Sequence, residues 1–174
     1  MTQAKVEWLV AGLDLLVTDG ENGLRIERLC QRLGKTKGSF YHHFSGRDDF
    51  CHTLLEYWES KHTDDLIQAT SGREAQKALG ELDRLARSLR FDRESAFRSW
   101  ATRSERAAEV VLRVDLRRVK YVEDLYQQKG LTRELAGSLA WLHYCLLLGG
   151  AQLKGLFGEP ERRRVYQLLR GLEE

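Results

Sequence analysis

The stretch that decides the fold runs from Ile26 to Phe50 and reads I-E-R-L-C-Q-R-L-G-K-T-K-G-S-F-Y-H-H-F-S-G-R-D-D-F. Ile26, Leu29, Cys30 and Leu33 recur at three- and four-residue steps, which is one face of a helix. Gly34 follows, where a short helix needs a residue that tolerates a positive φ to end in a tight turn. Thr36 is placed to cap a further short helix, which the spacing carries to about His43. On that helix Phe40 and Phe44 share one side, and Gly38, Ser39 and His42 fall on the other. Ser45, with Asp48 three residues on, has the form of a capping box for a longer helix carrying Phe50, Leu54, Tyr57 and Trp58 toward residue 70. Two short helices meeting at a glycine, the second anchored by aromatics and presenting small polar groups outward, have the geometry of a helix-turn-helix.

Charge concentrates in the same place. Residues 25–47 hold six basic side chains (Arg25, Arg28, Arg32, Lys35, Lys37, Arg47) against the one acid Glu27, whereas the whole chain carries only +2. A recognition helix needs small outward residues so that its backbone can approach the major groove, and Gly38 and Ser39 meet that need. Lys37, Tyr41 and His42 can reach phosphates or base edges. Arg47, in the first turn of the helix after Ser45, makes a phosphate seat. With Arg25, Lys35 and Thr36 these are the candidate contacts to double-stranded DNA.

Working outward, Val6, Leu9, Val10, Leu13, Leu16 and Val17 predict an amphipathic helix over 3–19, ending near Gly20 and Gly23. Downstream, the periodicity predicts helices near 46–70, 73–90, 93–103, 105–129, 132–156 and 160–172, with breaks at Ser71-Gly72, Phe91-Asp92, Lys129-Gly130 and Gly158-Glu159-Pro160. The expectation is an all-α chain of about nine helices. A helix-turn-helix domain over 1–46 is followed by a helical dimerisation and effector-binding domain over 47–174. A length of 174 residues and a 42% hydrophobic share fit such a folded chain and exclude a disordered one.

The segment resembles the DNA-binding domain of the TetR family of bacterial transcriptional regulators. The resemblance rests on Leu29-Cys30, Gly34, Thr36, Lys37-Gly38, Tyr41-His42-His43-Phe44 and Arg47-Asp48-Asp49, and runs without a gap from about residue 8 to 58. Cys30, Leu24 and Lys35 depart from the family's usual alanine, small hydroxyl residue and aliphatic residue. The resemblance implies a ligand-responsive repressor that binds a palindromic operator as a dimer and is released by a small molecule. It also implies that the helix over 46–70 is the lever joining the two domains. An all-helical interaction module of the same shape, acting through protein contacts without operator binding, is the alternative.

Other classes find little support. Phosphate-binding glycine loops, nucleophile motifs and carboxylates placed with a base are all lacking, so no enzyme and no cofactor are expected. Cys30, Cys51 and Cys145 form no ligand or disulfide pattern. His42 and His43 are adjacent, so they point about 100° apart on a helix, and no metal site is assigned. The cysteine pattern and an opening Met-Thr-Gln-Ala-Lys without the apolar core of a signal peptide predict a cytoplasmic protein. Leu135–Leu153 is uncharged, but three glycines with Ser138, His143 and Gln152 argue for a helix buried in protein rather than in a membrane. The arginines between 84 and 120 alternate with acids, as in Asp83 with Arg87, Glu94 with Arg98 and Glu109 with Arg113, which predicts a solvated face.

Two further sites are expected in the C-terminal domain. Val165, Leu168, Leu169 and Leu172 form an apolar stripe, and Leu146, Gly149 and Gly150 supply a second surface with room for close helix approach, so four helices from two chains form a homodimer. Trp58, Phe97, Trp100, Tyr121, Trp141 and Tyr144 are the candidate pocket for an apolar or aromatic effector.

Overall fold

The computed structural model describes residues 1–88, 90–153 and 156–172. The chain is all-α. Its helices are α1 (Gln3–Asp19), α2 (Ile26–Leu33), α3 (Lys37–Tyr41), α4 (Arg47–Glu59), α5 (Asp65–Thr70), α6 (Ala75–Ser88), α7 (Phe91–Ala101), α8 (Glu105–Gln128), α9 (Arg133–Gln152) and α10 (Glu159–Gly171). A 3-10 turn at Gly20–Leu24 joins α1 to α2, and a π turn at Ser60–Asp64 joins α4 to α5. Taking α4, the π turn and α5 as one interrupted helix, the described residues hold nine helices.

The residues group into two compact units, Met1–His62 with Arg90–Val114, and Thr63–Leu89 with Asp115–Glu174. The first unit thus takes in the whole 1–46 segment together with 47–62 and 90–114. Its core is built on Trp8, Leu13, Leu29, Phe40, Phe50 and Leu54, all nearly inaccessible to solvent. Burial of side chains of this size contributes about 1.5–3 kcal/mol each. The face of α1 that packs inward is carried by Trp8, Leu9, Leu13 and Leu16, while Val10 is exposed. Gly12 lets α1 and α4 approach, because a Cβ there would lie 2.6 Å from the Phe50 ring. The core of the second unit is formed by Ala78, Leu79, Val122, Tyr126, Leu139 and Ala140.

Several boundaries differ from expectation, and most of the contacts that set them are local. Phe91 and Asp92 begin α7 rather than separating helices. Asp92 sits in its first turn, where its carboxylate accepts from the Arg93 amide at 3.0 Å and pairs with Arg90. The third helix stops at Tyr41 instead of His43, with its last turn closed by His43 and Phe44 amides bonding the Phe40 carbonyl. The 46–70 helix is broken by the π turn, which brings the consecutive residues His62 and Thr63 both out of solvent. Pro160 is the second residue of α10, after Glu159.

The arginine-rich face also rearranges. Glu94 and Arg98 pair at 2.8 Å as spaced. Arg113, however, reaches Glu59 on α4 at 2.6 Å rather than Glu109. The side chain of Arg87 lies outside the described residues, and Asp83 instead meets His143 on α9 at 2.7 Å. Among the described residues no helix is long and apolar enough to cross a membrane.

Candidate nucleic-acid interface

The turn between α2 and α3 is fixed by its own backbone. Gly34 takes φ 62° and its amide bonds back into α2, while the Lys35 amide donates to the Cys30 carbonyl at 3.0 Å. One residue later the Thr36 hydroxyl oxygen accepts from the Ser39 amide at 3.2 Å and starts α3. Phe40 then locks α3 to the core. It is fully buried, with ring centroids 5.4 Å from Trp8, 5.1 Å from Phe44 and 5.8 Å from Phe50. A helix of five residues has little stability of its own, so this aromatic cluster holds its orientation.

With Phe40 inward, α3 presents Lys37, Gly38 and Tyr41 to solvent, with His42 exposed at its end, and Tyr41 is 55% exposed. Thr36 and Arg25 are also exposed, and Ser39 is half-buried. Gly38 has room for a side chain: the nearest atom to an added Cβ is Thr36 Oγ1, 3.7 Å away. Packing within the chain therefore does not require glycine there.

The start of α4 differs from the expected capping box. Asp49, not Asp48, closes the turn, accepting from the Ser45 amide at 2.7 Å and from the Ser45 hydroxyl at 3.2 Å. The amide hydrogen bond holds the Asp49 carboxyl below its ordinary range. The first helical residue, Arg47, is held by Glu21 of the 3-10 turn at 3.0 Å.

The basic window is largely neutralised in space. Lys37 pairs with Glu27 at 2.5 Å, Lys35 with Glu7 at 2.6 Å, Arg32 with Asp14 at 3.9 Å, and Arg28 with Asp19. Arg25 instead donates to the neutral Asn22 side chain at 3.2 Å. The Lys37 hydrogen bond pulls the Glu27 carboxyl below its ordinary value, and the same bond pushes the Lys37 ammonium above its own. Counting charge along residues 25–47 passes over these acids of α1 and the 3-10 turn. The acids Glu7, Asp14 and Asp19 on the helix that precedes the basic stretch were the available signal. The Lys37–Glu27 pair is solvent-exposed, so a phosphate can replace that carboxylate at little cost, whereas the pairs of Lys35 and Arg47 are partly buried.

The six aromatics expected around an effector fall in both units. Trp58 and Phe97 are fully buried and stack at 4.4 Å in the first unit. Trp100 borders an open cleft of about 380 Å3 with Leu16, Val17, Glu21 and Arg103. In the second unit the Tyr121 hydroxyl lies 2.8 Å from that of Thr70, Tyr144 donates to Asp115 at 2.6 Å, and Trp141 is half exposed. Of the expected dimer residues, Leu168 and Leu172 are exposed, whereas Leu169 is turned into the core of its own unit. Val165, Leu146 and Gly149 are half-buried. Gly150 is buried against Phe157, whose ring would lie 3.2 Å from an added Cβ. Among the described residues no cluster of His, Cys, Asp or Glu is arranged to hold a metal ion. Comparison with family models, with curated protein sequences and with solved structures gives no match.

Proposed function

We propose that the chain is a DNA-binding transcriptional regulator of the TetR type, a repressor acting as a homodimer on a palindromic operator in the cytoplasm and released by a small molecule. The observation that carries the reading is Gly38. It is an exposed glycine in a short helix anchored by a buried phenylalanine, and the protein's own packing leaves space where its side chain would be. A missing side chain at such a point serves a surface that comes from outside, and Lys37, Tyr41 and His42 flank it with groups that bond phosphates and base edges. Dimerisation is supported by apolar side chains left in solvent, Leu135, Trp141 and Leu142 on α9, Leu168 on α10 and Leu172 just after it.

The ion pairs over the basic window favour a second reading, an interaction module of the same shape that works through protein contacts. Selection of bound fragments from the source genome with purified protein separates the two. The regulator enriches sites with two-fold symmetry whose half-sites lie about one helical turn, or a multiple of it, apart. The module enriches none, and that result would remove the proposal.

A further inference from the structure

The second unit contains a cavity of about 380 Å3 bordered by α6, α8, α9 and α10. This is within the size range of small-molecule sites. At its wall stands His143, only 5% exposed in an otherwise uncharged stretch of α9. Its Nε2 lies 2.7 Å from Asp83 Oδ1 and its Nδ1 lies 3.1 Å from the Tyr126 hydroxyl. In the arrangement that satisfies all three groups, Nε2–H donates to the carboxylate and Nδ1 accepts from the tyrosine. Asp83 is thereby fixed in orientation. Its second oxygen has no protein partner among the described residues.

The opposite charge comes from α10. Several arginines in the chain are held by carboxylates, as Arg47, Arg84, Arg93 and Arg113 are, whereas Arg25 and Arg73 bond neutral acceptors. Arg162 and Arg163, both bordering this cavity, meet no acid among the described residues. Among the described residues Arg162 donates to the Phe157 carbonyl at 3.3 Å, its guanidinium lies 5.9 Å from the centre of the Phe157 ring, and its Nε is buried without an acceptor. Glu159, on the same border, is likewise without a partner among the described residues. Gly80 borders the cavity from inside α6, where glycine weakens a helix, and a Cβ there would meet nothing within 4 Å.

We infer that this cavity binds a small zwitterionic amino carboxylate, with its carboxylate on Arg162 and Arg163 and its ammonium on Asp83 and Glu159. The charge pattern selects the class. Two arginines that meet no acid among the described residues call for a carboxylate, which guanidinium groups bind through paired hydrogen bonds. Two acids with spare acceptor capacity call for a cation, and the lining as a whole balances to a ligand without net charge. This inference is independent of the DNA-binding reading, because its test uses no DNA.

The test is calorimetric titration of the full chain with each standard amino acid, then with the amide and the des-amino analogue of any that binds. At least one amino acid is expected to bind with Kd below about 1 mM, and both analogues to bind at least about tenfold more weakly. Arg163→Gln and Gly80→Leu are each expected to weaken binding by about tenfold or more, with helical content by circular dichroism unchanged. Three results would overturn the inference: no amino acid binding in that range, an analogue binding as tightly as its parent, or both variants binding like the parent protein.

Discussion

Replacing Gly38 by alanine is expected to stabilise the protein and weaken its hold on DNA at the same time. Gly38 lies within α3, its φ is not among the positive values, and an added Cβ meets only Thr36 Oγ1 at an ordinary 3.7 Å. Alanine in a helix is favoured over glycine by about 0.5–1 kcal/mol. In a chain of this size 1 kcal/mol is worth about 2–4 °C in Tm, so a rise of about 1–4 °C is expected in thermal denaturation followed by circular dichroism. On DNA the sign reverses. A methyl group between the backbone and the groove lifts α3 off the bases, and each well-formed hydrogen-bonded pairing with a base edge is worth about 1–3 kcal/mol. Operator affinity measured by fluorescence anisotropy on the same sample falls by about tenfold or more. Gly38→Gln, which is longer, weakens binding further. An unchanged operator affinity beside a raised Tm would refute the assignment of α3 to the groove, and a Tm lowered by several degrees would refute the space argument itself.

The remaining predictions concern charge, assembly and pH. Lys37→Ala is expected to weaken binding to all sequences and to reduce the magnitude of the salt slope by about one, while Glu27→Gln, which frees Lys37, strengthens binding to random duplex in the same anisotropy titration. The double substitution Leu168→Glu with Leu172→Glu, at two exposed positions, is expected to give a monomeric mass by light scattering at micromolar concentration, and a persistent dimer would exclude α10 from the interface. Asp49 is held below its ordinary range when folded, so it adds stability above about pH 4 that is lost as pH falls through its lowered value. Asp49→Asn therefore lowers Tm at neutral pH, and the gap between the two proteins closes in acid.

The region from α2 to α3 was legible because each of its determinants is local. Gly34 ends one helix through its own φ, Thr36 caps the next through an amide three residues on, and Phe40 with Phe44 marks the inward side. Where the partner was set by tertiary structure, spacing misled. Spacing also misled locally, where Ser45 bonds Asp49, four residues on, and not Asp48. Arg113 reaches Glu59, 54 residues away, although Glu109 has the proper helical spacing. Apart from Glu27, the acids that quiet the basic window are Glu7, Asp14, Asp19 and Glu21, outside the stretch 25–47. His143 is a buried histidine, as an uncharged stretch of helix suggests, but its partner Asp83, 60 residues away, had no signature in the sequence. The effector site fared similarly: aromatic residues at helical spacing mark a core, and which of them border open space depends on packing between helices distant in sequence.

In the proposed regulator the surface formed by Arg25, Lys35, Lys37 and Arg47 around α3 binds the DNA backbone. The most direct test is fluorescence anisotropy of a short random duplex titrated with the full chain between about 50 and 200 mM salt. If these four cations leave their present partners for phosphates, log K falls linearly with log salt at a slope of about −4 per protomer. A duplex left unbound at the lowest salt, or bound with no dependence on salt, would contradict the account.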